Sequence, residues 1–245
     1  MTLIAIVGGT GLTELDGLEI TESRTLETRY GQPSAPLEFG RFGNQDVVFL
    51  ARHGKGHRLP PHQVNYRANI AVLKEVGVTD IVAVNAVGGI NPQMGAESLV
   101  VPHQLVDYTW GREFTFADEG NVIHVDFSYP YTESIRQGLL EGAKRAGVAV
   151  HNGGVYGATQ GPRLETAAEI DRMERDGCDI VGMTGMPEAS LARELGLCYA
   201  ACALSANAAA GRGPAPITME AIEAVLTDGM AKVIRIVGQV IAGTD

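Results

Sequence analysis

Cysteine is scarce in this chain. Three occur in 245 residues, Cys178, Cys198 and Cys202, with no C-x-x-C pair and no partner set at zinc-ligand spacing. A sparse, odd count excludes a disulfide framework and fits reduced thiols buried in the core of a cytosolic protein. A cytoplasmic location is therefore expected, and no metal. Basic residues are outnumbered: 19 Lys and Arg against 29 Asp and Glu give a net charge of −10. That argues against a nucleic-acid partner. The opening "MTLIAIVGG" lacks the basic segment of a signal peptide, and its apolar run is too short to span a bilayer. No membrane association is expected. Linker-like stretches, low-complexity segments and repeats of solenoid period are also missing. At 45% hydrophobic composition, residues 1–245 are read as one domain with a substantial core.

Acid is missing locally as well. Residues 47–74 contain no Asp or Glu, yet they hold Arg52, Lys55, Arg58, Arg67 and Lys74 with His53, His57 and His62. One reading is a local positive field for a small anion; the other is a solvated basic loop. A metal site is not expected there, because the histidines lack helical H-x-x-x-H spacing and acidic helpers.

What is present alternates between two patterns. "LIAIV" (3–7) is a continuous apolar run that ends in "GGTG", a buried strand and a tight turn. "LEFGRF" and "DVVFLAR" read as two strands joined at Gly43-Asn44. "QVNYRANIAVLKEVG" carries Val64, Ala68, Ala71, Val72 and Leu73 at helical spacing and stops at Gly77. "DIVAVNAVGG" reads as a buried strand, and "LVVPHQLVDYT" as a strand broken by Pro102. Residues 111–131 read as a long irregular loop, 132–147 as a helix, and "VAVHNGGVYGAT" as a strand. Then follow a helix in "GPRLETAAEIDRMERDG", a strand in "CDIVGMT", a helix in "MPEASLARELG" and a strand in "LCYAACALSANAAAG". The last element, from Thr218 as N-cap, is a long amphipathic helix. This alternation predicts an α/β fold: a mixed β-sheet flanked by helices on both faces. Ligands then gather at the carboxyl ends of strands.

Several such ends carry polar or glycine-rich residues. "IVGGTGL" (6–12) does not have the G-x-G-x-x-G spacing of a dinucleotide site, and no helical pattern follows at once. Its backbone N–H groups and the Thr10 hydroxyl suit a phosphate, and a purely structural turn is the other reading. After the strand that ends in "LAR", Arg52 offers a planar fork for phosphate oxygens, and His53 a switchable donor. "VNAVGGI" (84–90) places small residues where a ligand can approach the backbone, or simply forms a tight turn. In "VGMTGMPE" (181–188) the Thr184 hydroxyl stands at a strand end beside a helix start, while Met183 reads equally as core. In "ALSANAAAG" (203–211) Asn207 is the one amide in an apolar run. Leaving it buried and unpaired costs about 1–3 kcal/mol, so it needs a backbone or ligand partner.

Taken in order, these segments resemble the trimeric nucleoside phosphorylase family, over nearly the whole chain. "IVGGTGL", "LARHG", "VNYRANI" and "CYA" are similar to its methylthioadenosine phosphorylase branch. "NAVGGI", "GPRLET" and "SANAAAG" are more similar to its purine nucleoside phosphorylase branch. The resemblance implies attack of inorganic phosphate on C1′ of a purine nucleoside, with no metal or organic cofactor. The transition state is cation-like at the sugar, and the purine leaves with developing negative charge that the enzyme must help neutralise. It implies that Thr10, Arg52, His53, Ala86 through its backbone, and Thr184 hold phosphate. Met183 would pack on the ribose, with Val87 and Gly88 beside the nucleoside. Glu165 and Asn207 would read the base, and with His53 they form the implied catalytic set. A homotrimer is implied too, with His124 entering a neighbour's 5′ pocket.

The two branches differ at the base. A 6-oxopurine presents an N1–H donor and an O6 acceptor, whereas adenine reverses this edge. The methylthioadenosine enzymes place a Ser and two Asp there. Here Glu165 replaces the Ser, and Ser205 and Asn207 stand where the Asp residues lie. A carboxylate accepts N1–H, and mispaired buried groups reject the wrong base, so hypoxanthine or guanine is expected. The purine nucleoside phosphorylases place a His at the 5′-hydroxyl. The matching segment here is "MEAI", with Met219 in that place, a soft apolar surface suited to a thioether. Together the two ends imply S-methyl-5′-thioinosine as substrate. Methylthioadenosine and inosine or guanosine are the alternative substrates, and a nucleotide-binding protein built on "GGTG" is the alternative outside the enzyme class.

Overall fold

The computed structural model describes residues 3–9, 17–214 and 216–243. Thr10 and the rest of the "GGTG" turn beyond Gly9 lie outside them. The described residues form eleven strands and five helices, in one mixed sheet.

The strands at the centre carry continuous apolar runs because both faces are covered. In β1 (Ile4–Gly8), Ala5 and Val7 join one cluster and Ile4 and Ile6 the other. In β4 (Gln45–Ala51), Val48 and Leu50 face the first cluster, and Val47 and Phe49 the second. This is the period-two alternation of a pleated strand, with each face buried. On the first face lie α1 (Tyr66–Glu75) and α4 (Gly185–Glu194). On the second lie α2 (Glu133–Ala146) and α5 (Met219–Ala242). Each fully buried Val, Leu or Ile contributes about 1.5–3 kcal/mol, so these two clusters hold the sheet between its helix layers. A third, smaller cluster is built around α3 (Ala167–Arg175), through Ile170 and Met173.

Two details differ from the sequence reading. The segment "VAVHNGGVYGAT" is two strands, β8 (His151–Asn152) and β9 (Val155–Ala158), because Gly153 and Gly154 take φ of 109° and 113° between them. An exposed strand, β2 (Leu18–Arg24), pairs antiparallel with β3 (Leu37–Phe42) at the sheet edge. Its side chains are almost all exposed, so it carries no apolar alternation to read. Residues 111–131 contain no helix or strand, as expected.

The sheet changes partners along β5 (Asp80–Gly89). Residues 80–83 pair with β1 on one side, and residues 88–89 pair with β10 (Ile180–Gly182). On the other side β11 (Cys198–Ala208) runs parallel along the whole of β5. Among the described residues, positions 84–87 therefore have no strand on the side that β1 leaves and β10 takes up. Such a switch of neighbours at strand ends opens a crevice.

Candidate active site

A cavity of about 290 Å³ lies at this switch. Arg52, the residue after β4, crosses its floor. The side chain is 2% exposed. Its Nε and Nη2 donate to Glu188 Oε2 and Oε1 at 2.6 and 2.7 Å, and its Nη1 donates to the Val84 carbonyl at 2.9 Å. Nη2 also donates to the Val7 carbonyl at 3.2 Å. These bonds use four of the five guanidinium N–H groups and leave one on Nη1. Burial opposes the charge, but Glu188 outweighs it and holds the arginine above its ordinary pKa. Glu188 is fully buried and also accepts from the Tyr199 hydroxyl at 2.9 Å.

His53 lines the same cavity. Its Nδ1–H donates to the Leu59 carbonyl at 2.8 Å, and its ring stacks on His57 with centroids 4.4 Å apart. Burial, helped by the Arg52 charge, pushes its pKa down to about 4. The imidazole is neutral at pH 7, and Nε2 carries a lone pair. Before an anion arrives it is an acceptor at Nε2, not the charged donor that a basic loop suggests.

Ala86, Val87 and Gly88 line the cavity from β5, and Gly9 lines it from the end of β1. Asn85 points into it, 2% exposed, and donates from Nδ2 to Thr184 Oγ1 at 2.8 Å. Its Oδ1 is buried without a partner among the described residues. Thr184 Oγ1 accepts from Asn85, so its own proton is left to donate. The sequence reading placed this hydroxyl beside a helix start. In the structure Met186, with φ −121° and ψ 142°, is extended inside the first turn of α4, so Asn85, not a regular helix end, orients Thr184.

Glu165 lies in the segment between β9 and α3, half-buried, and lines the cavity. Its Oε1 accepts from the Thr159 hydroxyl at 2.6 Å. Asn207 follows a β-bulge in β11, where the register with β5 shifts between Ser205 and Asn207. Its Nδ2 donates to the Ala208 carbonyl at 2.7 Å, which leaves one N–H and Oδ1 available. Gly88 lies across from it, and a Cβ there would sit 3.4 Å from Asn207 Nδ2 and 3.3 Å from Val181 Cγ1. Ser205 is fully buried and does not line the cavity.

Met183 lines the cavity with its sulfur against Gly161, where a Cβ would fall 2.4 Å from Sδ. The apolar wall comes from Ile217, Ile222, Leu226 and Met230. The last three recur every four residues along α5, on one helical face. Met219 stands on the same side but is the first residue of α5, 61% exposed, and does not join the lining. His124 is exposed on the 111–131 segment and also lies off this chain's lining.

The basic island is not a free positive patch. Arg52 is paired with Glu188, Arg67 with Glu113 at 2.6 Å, and Lys55 approaches Glu38 at 3.6 Å. Carboxylates from distant segments supply the charge that residues 47–74 lack. Arg112 does not line the cavity but braces the segments that do, and no sequence motif marks it. It is 8% exposed. It donates to the carbonyls of Thr159, Gln160, Met183 and Met186 at 3.1, 2.9, 2.8 and 2.6 Å. It thereby ties the 111–131 segment to both strand ends that carry Glu165 and Thr184. Among the described residues no group of His, Cys, Asp or Glu is placed to hold a metal ion. Cys178 and Cys202 are buried and Cys198 partly so, and all three are free. Among the described residues no helix is long and apolar enough to cross a membrane.

Residues 3–242 match the family described as the Phosphorylase superfamily. The chain is 58% identical to a protein of Pseudomonas syringae pv. tomato named probable S-methyl-5′-thioinosine phosphorylase, with all of both chains covered. It is 42% identical to the 6-oxopurine nucleoside phosphorylase of Pyrococcus furiosus, over 97% of this chain and 91% of that one. Among solved structures, methylthioadenosine phosphorylase from Schistosoma mansoni in complex with adenine matches with a TM-score of 0.94. It is 32% identical and covers 100% of this chain and 93% of its own. A methylthioadenosine phosphorylase from an antarctic soil metagenomic library matches at 0.93 with 35% identity, over 98% of this chain and 85% of that one.

Proposed function

The chain belongs to the phosphorylase superfamily, and from that premise we propose that it cleaves S-methyl-5′-thioinosine with inorganic phosphate. The products are hypoxanthine and 5-methylthioribose 1-phosphate. A phosphate oxygen forms a bond to C1′ as the bond from C1′ to N9 breaks, and the electron pair leaves with the purine. The free N–H of Arg52, the Thr184 hydroxyl and the Ala86 backbone bind the attacking anion, and Thr10 is assigned to the same anion by the resemblance alone. His53 Nε2 accepts from a protonated phosphate oxygen. Asn207 donates to the leaving purine, where negative charge develops. No cofactor takes part.

One juxtaposition carries the choice of substrate. The carboxylate of Glu165 and the amide of Asn207 share a cavity with the apolar wall of Ile217, Ile222, Leu226 and Met230. The carboxylate suits N1–H of a 6-oxopurine. The wall suits a methylthio group and offers no partner to a 5′-hydroxyl. The wall thus takes the role that the sequence assigned to Met219. The name of the Pseudomonas syringae pv. tomato relative agrees with this reading. We further propose that the chain is one cytoplasmic catalytic domain that works as a homotrimer. The exposed Trp110, just before the irregular segment, and Phe114, Val122 and Tyr129 on it, at 66–75% exposure, support burial against a neighbour. His124 on that segment then reaches the neighbour's cavity.

A phosphorolysis panel tests the reading. Methylthioinosine, methylthioadenosine, inosine and guanosine are each supplied with and without phosphate. The expected result is phosphate-dependent release of hypoxanthine from methylthioinosine, faster than turnover of the other three. Equal or faster turnover of methylthioadenosine, or of inosine, would assign the chain to that substrate instead.

A further inference from the structure

Glu165 could meet a base in several ways, because a glutamate has three side-chain torsions and two equivalent oxygens. The structure removes that freedom at one point. Among the described residues the only hydrogen-bond donor to its carboxylate is the Thr159 hydroxyl, 2.6 Å from Oε1. The nearest cation in sequence does not compete: Arg163 is committed to Glu169 through both Nη atoms, at 2.8 and 2.7 Å.

Thr159 itself is held from two sides. Its amide N donates to the Gly182 carbonyl at 2.8 Å, and its carbonyl accepts from Arg112 Nη2 at 3.1 Å. Its hydroxyl has one proton and two acceptors in range, Glu165 Oε1 at 2.6 Å and the Gly182 carbonyl at 3.4 Å. The shorter, charge-assisted bond takes it. A β-branched side chain on a fixed backbone also has few χ1 choices.

We propose that Thr159 is a specificity-determining positioning residue, whose hydroxyl occupies Glu165 Oε1 so that Oε2 alone meets the base, as an acceptor. This rests on the reading of Glu165 as the group that contacts N1. A 6-oxopurine satisfies Oε2 with its N1–H. Adenine brings the N1 lone pair to the same oxygen, and the carboxylate cannot turn away without breaking its bond to Thr159.

The test compares Thr159→Val, Thr159→Ser, Glu165→Gln and the Thr159→Val/Glu165→Gln double variant. KM and kcat are measured for methylthioinosine, methylthioadenosine and phosphate. Thr159→Val is expected to raise the nucleoside KM roughly 10-fold, the size of one lost hydrogen bond to a charged group. The preference for methylthioinosine over methylthioadenosine falls by a similar factor, while the phosphate KM stays within about twofold, and Thr159→Ser restores both. In the Glu165→Gln background the valine substitution has almost no further effect. If Thr159→Val folds poorly, Thr159→Ala takes its place, with thermal melting as the control. Wild-type KM and base preference in Thr159→Val, alongside a disabled Glu165→Gln, would overturn the role of Thr159 and leave Glu165 in place. An unaffected Glu165→Gln would instead remove the reading of Glu165 on which the role rests.

Discussion

Asn85 and Thr184, 99 residues apart in sequence, are joined by one hydrogen bond of 2.8 Å inside the cavity, and the other atom of the Asn85 amide, Oδ1, is buried without a partner among the described residues. The bond turns the Thr184 proton outward as a donor. The orphaned oxygen suits an entering group with a proton, such as a protonated phosphate oxygen.

Asn85→Ala is therefore expected to raise the phosphate KM about 10-fold, the loss of one oriented donor, with the nucleoside KM changed little. Asn85→Asp is expected to cost more, because it adds a negative charge beside the anion. Steady-state kinetics with each substrate varied separately checks both. An unchanged phosphate KM in Asn85→Ala would place the anion elsewhere.

Glu188 touches no solvent and answers the charge of Arg52. Its removal leaves a buried guanidinium without a counter-charge, which costs about 3–5 kcal/mol. Glu188→Ala is thus expected to unfold at markedly lower urea than the wild type. Glu188→Gln, which keeps the shape, is expected to fall between them. Equal midpoints for wild type and Glu188→Ala would show that the pair adds nothing to stability.

His53 gives a pH dependence of known sign. Its pKa is about 4 in the fold against 6.5 unperturbed. Between those values the unfolded chain binds a proton that the folded chain refuses, so stability falls as pH drops from about 6.5 to about 4. The full effect is about 3 kcal/mol. Thermal melting of wild type and His53→Gln, at about pH 7 and about pH 5, is the check. The wild type should lose more Tm across the interval, and parallel losses would mean that His53 is not held neutral by the fold.

Asn207→Asp exchanges an amide donor for an acceptor. It also breaks the bond to the Ala208 carbonyl, so some loss of stability accompanies it. The ratio of kcat/KM for methylthioinosine over methylthioadenosine is expected to fall roughly 10-fold. An unaltered ratio would count against Asn207 meeting the base.

The sequence made the central strands readable because each carries a continuous apolar run, and glycines at positive φ, such as Gly77 and Gly147, marked the helix stops. It also exposed Asn207, the one amide in an apolar run, whereas Glu165 looks like an ordinary helix-start charge and stood out only through the resemblance of "GPRLET". What stayed hidden depends on distance along the chain. Nothing near Arg52 announces Glu188, 136 residues away, and the absence of acid from residues 47–74 suggested an open positive field that the fold closes. Arg112 sits in an irregular stretch whose only signature is the carbonyls it reaches. Met219 sat at the right place in the motif, yet the helix begins there, so the wall is formed one turn and more further on.

The change of partners along β5 has an evolutionary consequence. The groups proposed to hold the nucleophile hang on β4, β5 and the end of β10, while those proposed to choose the leaving group hang on the β9–α3 segment and the bulge of β11. The two sets face each other across the open stretch of β5 and are otherwise joined through backbone, by the Thr159 amide on the Gly182 carbonyl and by Arg112. Substitutions at Thr159, Glu165 or Asn207 can retune which purine departs while the machinery that delivers phosphate is inherited intact, so one scaffold can diversify its nucleobases without reinventing its chemistry.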